Sequence, residues 1–290
     1  MNKDDKTYKV NINWFPGHMA KAKRELDSKI KLVDLIIELR DARIPISSAN
    51  PLFSSLISNK PKLVVLVKSL MADPKITKEF VKKLTDEGDL CLDVDMINSK
   101  NVSLIKNYIK LASKPILEKR TRQGIINKEI KIVVIGIPNV GKSTFINKLA
   151  SKSSLNVGNK PGITRNTNTW LRVDKDYLIL DTPGILYPKL KDERTAINLA
   201  LCGAIKEEIL PEEYLAYAGI SYLKENYPTL LQKRYELLSL AGDVSGIITE
   251  IAQKRGCLKK GGELDLTKTY KLILNDIKNA RIGAISYEKP

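Results

Sequence analysis

Long apolar runs are missing from this 290-residue chain, and nothing in it approaches the ~20 residues that a membrane-spanning helix needs. The first residues, Met1-Asn-Lys-Asp-Asp-Lys6, are polar and are not followed by the apolar core of a secretory signal. A cytoplasmic protein without a membrane partner is expected. Cysteine is scarce. Cys91, Cys202 and Cys257 are far apart, odd in number and in no C-x-x-C spacing, so they read as reduced structural thiols rather than disulfides or metal ligands. Histidine occurs once, as His18, and a lone histidine is more often structural than catalytic. Acidic residues are short in the first two thirds of the chain. Residues 1–190 hold 34 Lys and Arg against 19 Asp and Glu, so nearly all of the net +16 lies there. Such an excess suits a polyanionic partner, most simply nucleic acid, or a lysine-rich solubilising surface. No zinc-finger or RNA-recognition-motif signature accompanies it.

What the chain does carry is Gly136-Ile-Pro-Asn-Val-Gly-Lys-Ser143, a match to the phosphate-binding P-loop pattern G-x-x-x-x-G-K-[S/T]. The β-branched run 131–137 before it predicts a buried strand, and Thr144 to Ala150 after it a helix. The spacing makes chemical sense. Glycines let the backbone curl so that successive N–H groups face phosphate oxygens, and the helix N-terminus adds partial positive charge. Pro138, Asn139, Val140, Gly141 and Thr144 form the cradle, Lys142 reaches the β/γ-phosphates, and the Ser143 hydroxyl is a Mg²⁺ ligand. Asp181-Thr-Pro-Gly184 closes a later apolar run, where a P-loop NTPase places its second metal motif. Asp181 would hold Mg²⁺ through a water, and the Gly184 N–H would meet the γ-phosphate. Thr164 lies between the two motifs, in a polar stretch (157–168) that reads as a mobile switch loop, as a threonine closing on Mg²⁺ and γ-phosphate does.

The order of parts is unusual. Strands are expected at 32–41, 62–68 and 90–97, all before the P-loop, with helices at 20–31, 51–57, 74–85 and 102–112 and a basic connector at 114–128. Strands at 169–173 and 177–180 follow the P-loop. From about residue 192, apolar residues recur at helical spacing through 195–209, 212–226, 229–240, 244–254 and 268–282. Two domains follow, 1–190 and 191–290. A P-loop sheet needs about six strands, so the missing ones must come from upstream, with base-binding loops first and P-loop second. That is a circular permutation, permitted because chain termini in such domains lie close together. The fold class is therefore α/β: a circularly permuted P-loop domain, a mostly parallel sheet flanked by helices, with a C-terminal all-helical domain.

With these parts in this order the chain resembles the circularly permuted GTPases of ribosome biogenesis. Trp14-Phe-Pro-Gly-His-Met-Ala-Lys-Ala22, Asp41-Ala-Arg-Ile-Pro45, Asn50-Pro51, Gly136 to Thr144, Pro161-Gly-Ile-Thr164, Asp181 to Leu186, Gly203-Ala-Ile-Lys206, Lys254-Arg-Gly-Cys-Leu258 and Gly261-Gly262 carry the likeness, which covers residues 12–287. The resemblance implies a GTPase with GTP/GDP and Mg²⁺ as ligands. It implies action in late assembly of the bacterial large (50S) subunit, with hydrolysis stimulated by that subunit. The partners would be the large-subunit precursor and ribosomal RNA, and the free protein a monomer. It also carries over a proposed catalytic role for His18. Asn139 takes the place of an asparagine that lets related GTPases bind K⁺ beside the phosphates, though a loop-stabilising role is equally open.

The sequence also departs from that pattern. Guanine is ordinarily read by Asn-Lys-x-Asp, whose Asp accepts two hydrogen bonds from the base. Here the corresponding stretch is Val67-Lys68-Ser69-Leu70, and only Lys68 survives. Ser99 and Lys100 remain as candidates for a second base loop. Hydrogen bonds to a charged group contribute about 1.5–3 kcal/mol, so loss of a bidentate one predicts a nucleotide affinity lowered roughly tenfold to a thousandfold. Phosphate and Mg²⁺ binding should survive, with guanine and adenine nucleotides bound alike. An RNA- or ribosome-binding scaffold with impaired, non-guanine-selective nucleotide binding is the alternative function. Ile185 stands where many GTPases place a water-orienting Gln, so another polar group or the partner must serve. Arg40 is expected at the sheet's end, toward solvent or RNA.

Overall fold

The computed structural model of the chain describes residues 24, 27–51, 60–98, 100–150, 170–180, 192–205 and 210–290. They fall into two compact units. One holds the described residues up to Leu180 together with 284–290, and the other holds 192–283.

The first unit is built on six strands: β1 Leu35–Asp41, β2 Lys62–Val67, β3 Leu90–Val94, β4 Ile130–Gly136, β5 Trp170–Asp174 and β6 Tyr177–Leu180. Their order across the sheet is β3-β2-β1-β4-β6-β5, every pair parallel except the terminal β5–β6 hairpin. Strands β2 and β4 are almost wholly apolar and buried, as parallel strands covered on both faces must be, and β1 is as deeply buried although it carries Glu38, Arg40 and Asp41. Ile36, Val133 and Ile135 pack with Ile30 and Val33, and further along the sheet Val64, Leu66 and Cys91 pack with Phe80 and Leu84. Phe80 and Leu84 come from helix α1, Pro74–Asp86. Its start was legible: Asp73 accepts the N–H groups of Lys75 and Ile76, and Pro74 occupies the first helical position.

Two elements of this unit differ from expectation. Helix α2 runs Lys100–Arg122, absorbing most of the expected basic connector and passing through Pro115. Proline removes the bond to the carbonyl four residues back. That residue is Leu111, 45% exposed, so the lost bond falls on the outer face of the helix. Arg120 fixes the far end by donating to Asp34 Oδ1 (2.6 Å) and to the Glu129 carbonyl (2.7 Å). Strand β3 stops at Val94, because the Asp95 carboxylate captures the Ile97 N–H (2.8 Å) and turns the chain away from the sheet. Arg40 likewise does not face solvent. Residues i and i+2 of a strand share a face, and its guanidinium donates twice to Glu38, at 3.0 Å each.

The second unit is helical: α4 Glu193–Leu201, α5 Glu212–Asn226, α6 Pro228–Tyr235, α7 Val244–Lys254 and α8 Leu266–Lys278, with α3 (Lys142–Leu149) belonging to the first unit. Asp192, Asp243 and Asp265 cap α4, α7 and α8 through side-chain acceptance of an N–H. Leu215, Ile220, Leu223, Ile247, Ile251, Ile273 and Ile277 fill its interior. Helix α6 is shorter than expected because Glu236 takes a left-handed conformation (φ 57°) and ends it.

The final residues, 284–290, are a strap on the sheet unit. The Ile285 N–H donates to the Met71 carbonyl (3.0 Å) and the Tyr287 N–H to the Arg43 carbonyl (2.8 Å). The Asp73 N–H donates to Ser286 Oγ (3.1 Å). The Glu288 carboxylate accepts the N–H groups of Ile46 (2.6 Å) and Ser47 (2.9 Å) and the Ser47 hydroxyl.

Candidate nucleotide site

Four chain segments meet at the carboxyl ends of β4, β1, β2 and β3, the edge where open α/β sheets bind ligands. After β4 comes 136–144. Gly136 is fixed by packing: a Cβ there would lie 2.8 Å from the Leu39 carbonyl oxygen on neighbouring β1. Asn139 (φ 55°) and Gly141 (φ 111°) take left-handed conformations, which wind the loop before α3 begins at Lys142. Left-handed turns of this kind aim successive N–H groups into one concavity, and the N-terminus of α3 opens onto it. The Lys142 side chain, 8% exposed, donates to the carbonyls of Ile137 (3.0 Å) and Gly136 (3.3 Å), so its ammonium is held over the loop. Ser143 and Thr144 are exposed in the first turn of α3.

At the end of β1, Asp41 is 2% exposed and accepts from the Arg43 N–H (3.1 Å), Nε (2.9 Å) and Nη2 (2.8 Å) and from Lys68 Nζ (3.0 Å). Burial alone would raise its carboxyl. The Arg43 guanidinium and Lys68 ammonium outweigh that and hold it well below the usual carboxylate range. Lys68 is also left-handed (φ 60°), and its Nζ makes a second bond to the Asn139 carbonyl (3.0 Å). The one surviving residue of the base motif thus ties β1, β2 and the P-loop together.

A cavity of about 490 Å³ lies between these parts. Its walls are Val67, Lys68, Leu70 and Met71 after β2, Asp95, Met96 and Ile97 after β3, and Val140, Gly141, Thr144 and Lys148 beside the P-loop. The size is that of a small-molecule site. Val67 and Leu70, whose side chains cannot pair with a base, do face it. Lys100 does not: it is the exposed first residue of α2, its N–H on Asn98 Oδ1 (3.0 Å), and it is absent from the cavity wall. Asp95 is there instead. Residue-by-residue comparison with Asn-Lys-x-Asp overlooked it because it belongs to a different strand; the available signal was an aspartate ending an apolar run. His18, Ser99, Thr164, Asp181 and Gly184 lie outside the described residues. Among the described residues no cluster of three His, Cys, Asp or Glu could hold a metal, and no helix is long and apolar enough to cross a membrane.

This sheet order, with the P-loop strand central and three parallel strands supplied from upstream, defines a circularly permuted P-loop GTPase domain followed by a helical region. The model of the 50S ribosome-binding GTPase family matches residues 131–217, beginning at the P-loop strand. Ribosome biogenesis GTPase A of Bacillus pumilus is 42% identical over 97% of this chain and 99% of its own length. Mitochondrial ribosome-associated GTPase 1 of Xenopus tropicalis is 35% identical over 86% of this chain and 81% of its own length. Among solved structures, GNP-bound YlqF from T. maritima is 26% identical with a TM-score of 0.65, covering 93% of this chain and 98% of that one. A GDP-bound YlqF structure is 25% identical with a TM-score of 0.67. The chain belongs to the ribosome biogenesis GTPase A family.

Proposed function

We propose that this protein hydrolyses GTP at residues 136–144 and acts, as a switch, in late assembly of the bacterial large ribosomal subunit, with ribosomal RNA of the subunit precursor as its docking surface and the subunit as stimulator. The observation that carries the proposal is the wound loop with Lys142 held over its carbonyls, joined to a base-sized cavity. Family membership and the basic bias of residues 1–190 agree with it.

In this reading N–H groups of the loop and the Lys142 ammonium bind β/γ-phosphate oxygens and stabilise charge as water attacks the γ-phosphorus and the bond to the β-phosphate oxygen breaks, leaving GDP. Ser143 fits Mg²⁺ as an exposed hydroxyl beside the loop, with Thr164 and Asp181 as the further ligands. Bound Mg²⁺ would neutralise phosphate charge. His18 is assigned to the attacking water, Gly184 to the γ-phosphate, Lys68 and Ser99 to the base, and Asn139 to a K⁺ beside the phosphates.

GTP turnover with and without purified 50S subunits tests the proposal. Stimulated phosphate release that disappears in Lys142→Ala or Ser143→Ala, with the far-UV spectrum unchanged, is expected. Parent-level turnover in either variant would show the site to be elsewhere. A second reading, a ribosome-binding scaffold that no longer selects guanine, is favoured by Leu70 in the cavity wall. Titration with GDP, ADP and XDP separates the two.

A further inference from the structure

The cavity has lost one carboxylate and holds another. We propose that Asp95, at the end of β3, is the residue that reads the guanine base, replacing the carboxylate absent at position 70. This deepens the functional reading above and rests on it.

Strands β2 and β3 are parallel neighbours paired Val67↔Val94. The next residues, Lys68 and Asp95, therefore leave the sheet side by side. Leu70 lies in the short 3-10 turn Ser69–Met71 immediately beyond Lys68. A carboxylate on either strand end consequently addresses the same cavity, and both Leu70 and Asp95 line it. Asp95 is 7% exposed and rigidly placed. Its Oδ1 accepts the Ile97 N–H, and its carbonyl accepts Asn101 Nδ2 (2.7 Å) and the Asn98 N–H (3.3 Å). Among the described residues nothing donates to Oδ2. Lys68 does not neutralise it, since its ammonium is engaged by Asp41 and Asn139. Oδ2 therefore keeps its acceptor capacity for a donor that enters the cavity.

The neighbouring wall is apolar: Val67, Leu70, Met71, Met96 and Val140. An apolar slot beside one carboxylate suits a flat heterocycle with donors on its edge. Guanine offers two adjacent donors, N1–H and the 2-amino group, matching the two oxygens of a carboxylate. Adenine offers its 6-amino group beside the N1 lone pair, which repels the second oxygen. Asp95 therefore selects guanine, and the change at Leu70 moves the reading carboxylate from one strand end to the next.

The test is calorimetric titration of the full chain with GDP, ADP and XDP in Mg²⁺, for the parent, Asp95→Asn and Leu70→Asp/Asp95→Asn. The parent should prefer GDP over ADP by at least about tenfold, on the strength of charged hydrogen bonds. An amide at 95 presents one acceptor and one donor, complementary to N1–H and the 2-oxo group of xanthine. Asp95→Asn should therefore shift preference from GDP to XDP, a readout that loss of a merely structural residue would not give. Returning a carboxylate at position 70 should bring GDP preference back. Equal GDP and ADP binding by the parent, or an Asp95→Asn protein with parental ratios, would overturn the assignment of Asp95 and leave the P-loop reading standing. Absence of any nucleotide binding by the parent would overturn both.

Discussion

Removing Asp41 tests the claim that the base side of the site is held by one buried charge cluster. Arg43 and Asp41 pair at 2.8 Å with side chains 2% and 3% exposed, and Lys68 joins at 3.0 Å. Breaking a pair this deeply buried by deleting one partner costs about 3–5 kcal/mol, because the surviving charge keeps its desolvation penalty without its counterion. With a urea m-value of about 1–3 kcal/mol/M, Asp41→Ala should lower the unfolding midpoint by at least ~1 M. The chain has two units, so the transition should be followed by tryptophan fluorescence in a Trp14→Phe background, leaving Trp170, which packs against the Ile36–Val133 core, as the reporter. Replacing both partners, as in Asp41→Leu/Arg43→Met, should recover part of the loss, since no charge is then left buried without its partner. The pH dependence has a definite sign. The folded-state carboxyl lies well below its unfolded value near 3.9, so the contribution is complete above about pH 4 and is lost as pH falls through the folded value. A midpoint shift under ~0.3 M for Asp41→Ala would refute the reasoning and assign these contacts no more weight than surface ion pairs.

His18→Ala should lower subunit-stimulated turnover much more than nucleotide affinity, measured by single-turnover kinetics beside titration; equal losses in both would favour a structural histidine. Binding to 50S subunits should weaken steeply between low and moderate salt if the +15 of residues 1–190 meets RNA phosphates, and a flat salt profile would indicate protein–protein contacts. Glu288→Ala removes the acceptor shared by Ile46, Ser47 and the Ser47 hydroxyl, and should raise amide hydrogen exchange in 43–47; unchanged exchange would show that the strap is dispensable. Cys91, in the core with its thiol pushed up to about 12 by burial, should react with iodoacetamide only as the sheet unit unfolds, and rapid native labelling would contradict that packing.

Much of this protein was written locally. Strands β2 and β4 were legible because strands buried on both faces are near-continuous apolar runs, β1 from its apolar start Leu35-Ile-Ile37, and α1 because Asp73-Pro74 is a cap that acts within one turn. The P-loop was legible because its glycines and lysine serve backbone curvature and phosphate charge at fixed spacing. The permutation followed from counting strands on either side of it. What the sequence alone misjudged lay where distant segments decide. The connector at 114–122 is helical because Leu111 faces outward and Arg120 finds Asp34, two facts with no local signature. Arg40 turns to Glu38 rather than to solvent, and the last residues return across the chain to the loop at 43–47. The base site shows the division most clearly. Reading along 67–70 showed a lost carboxylate, because a motif is a pattern on one segment. Strand pairing sets Asp95 beside Lys68 although it lies on a later segment of the chain, and only the sheet register makes the two strand ends one wall.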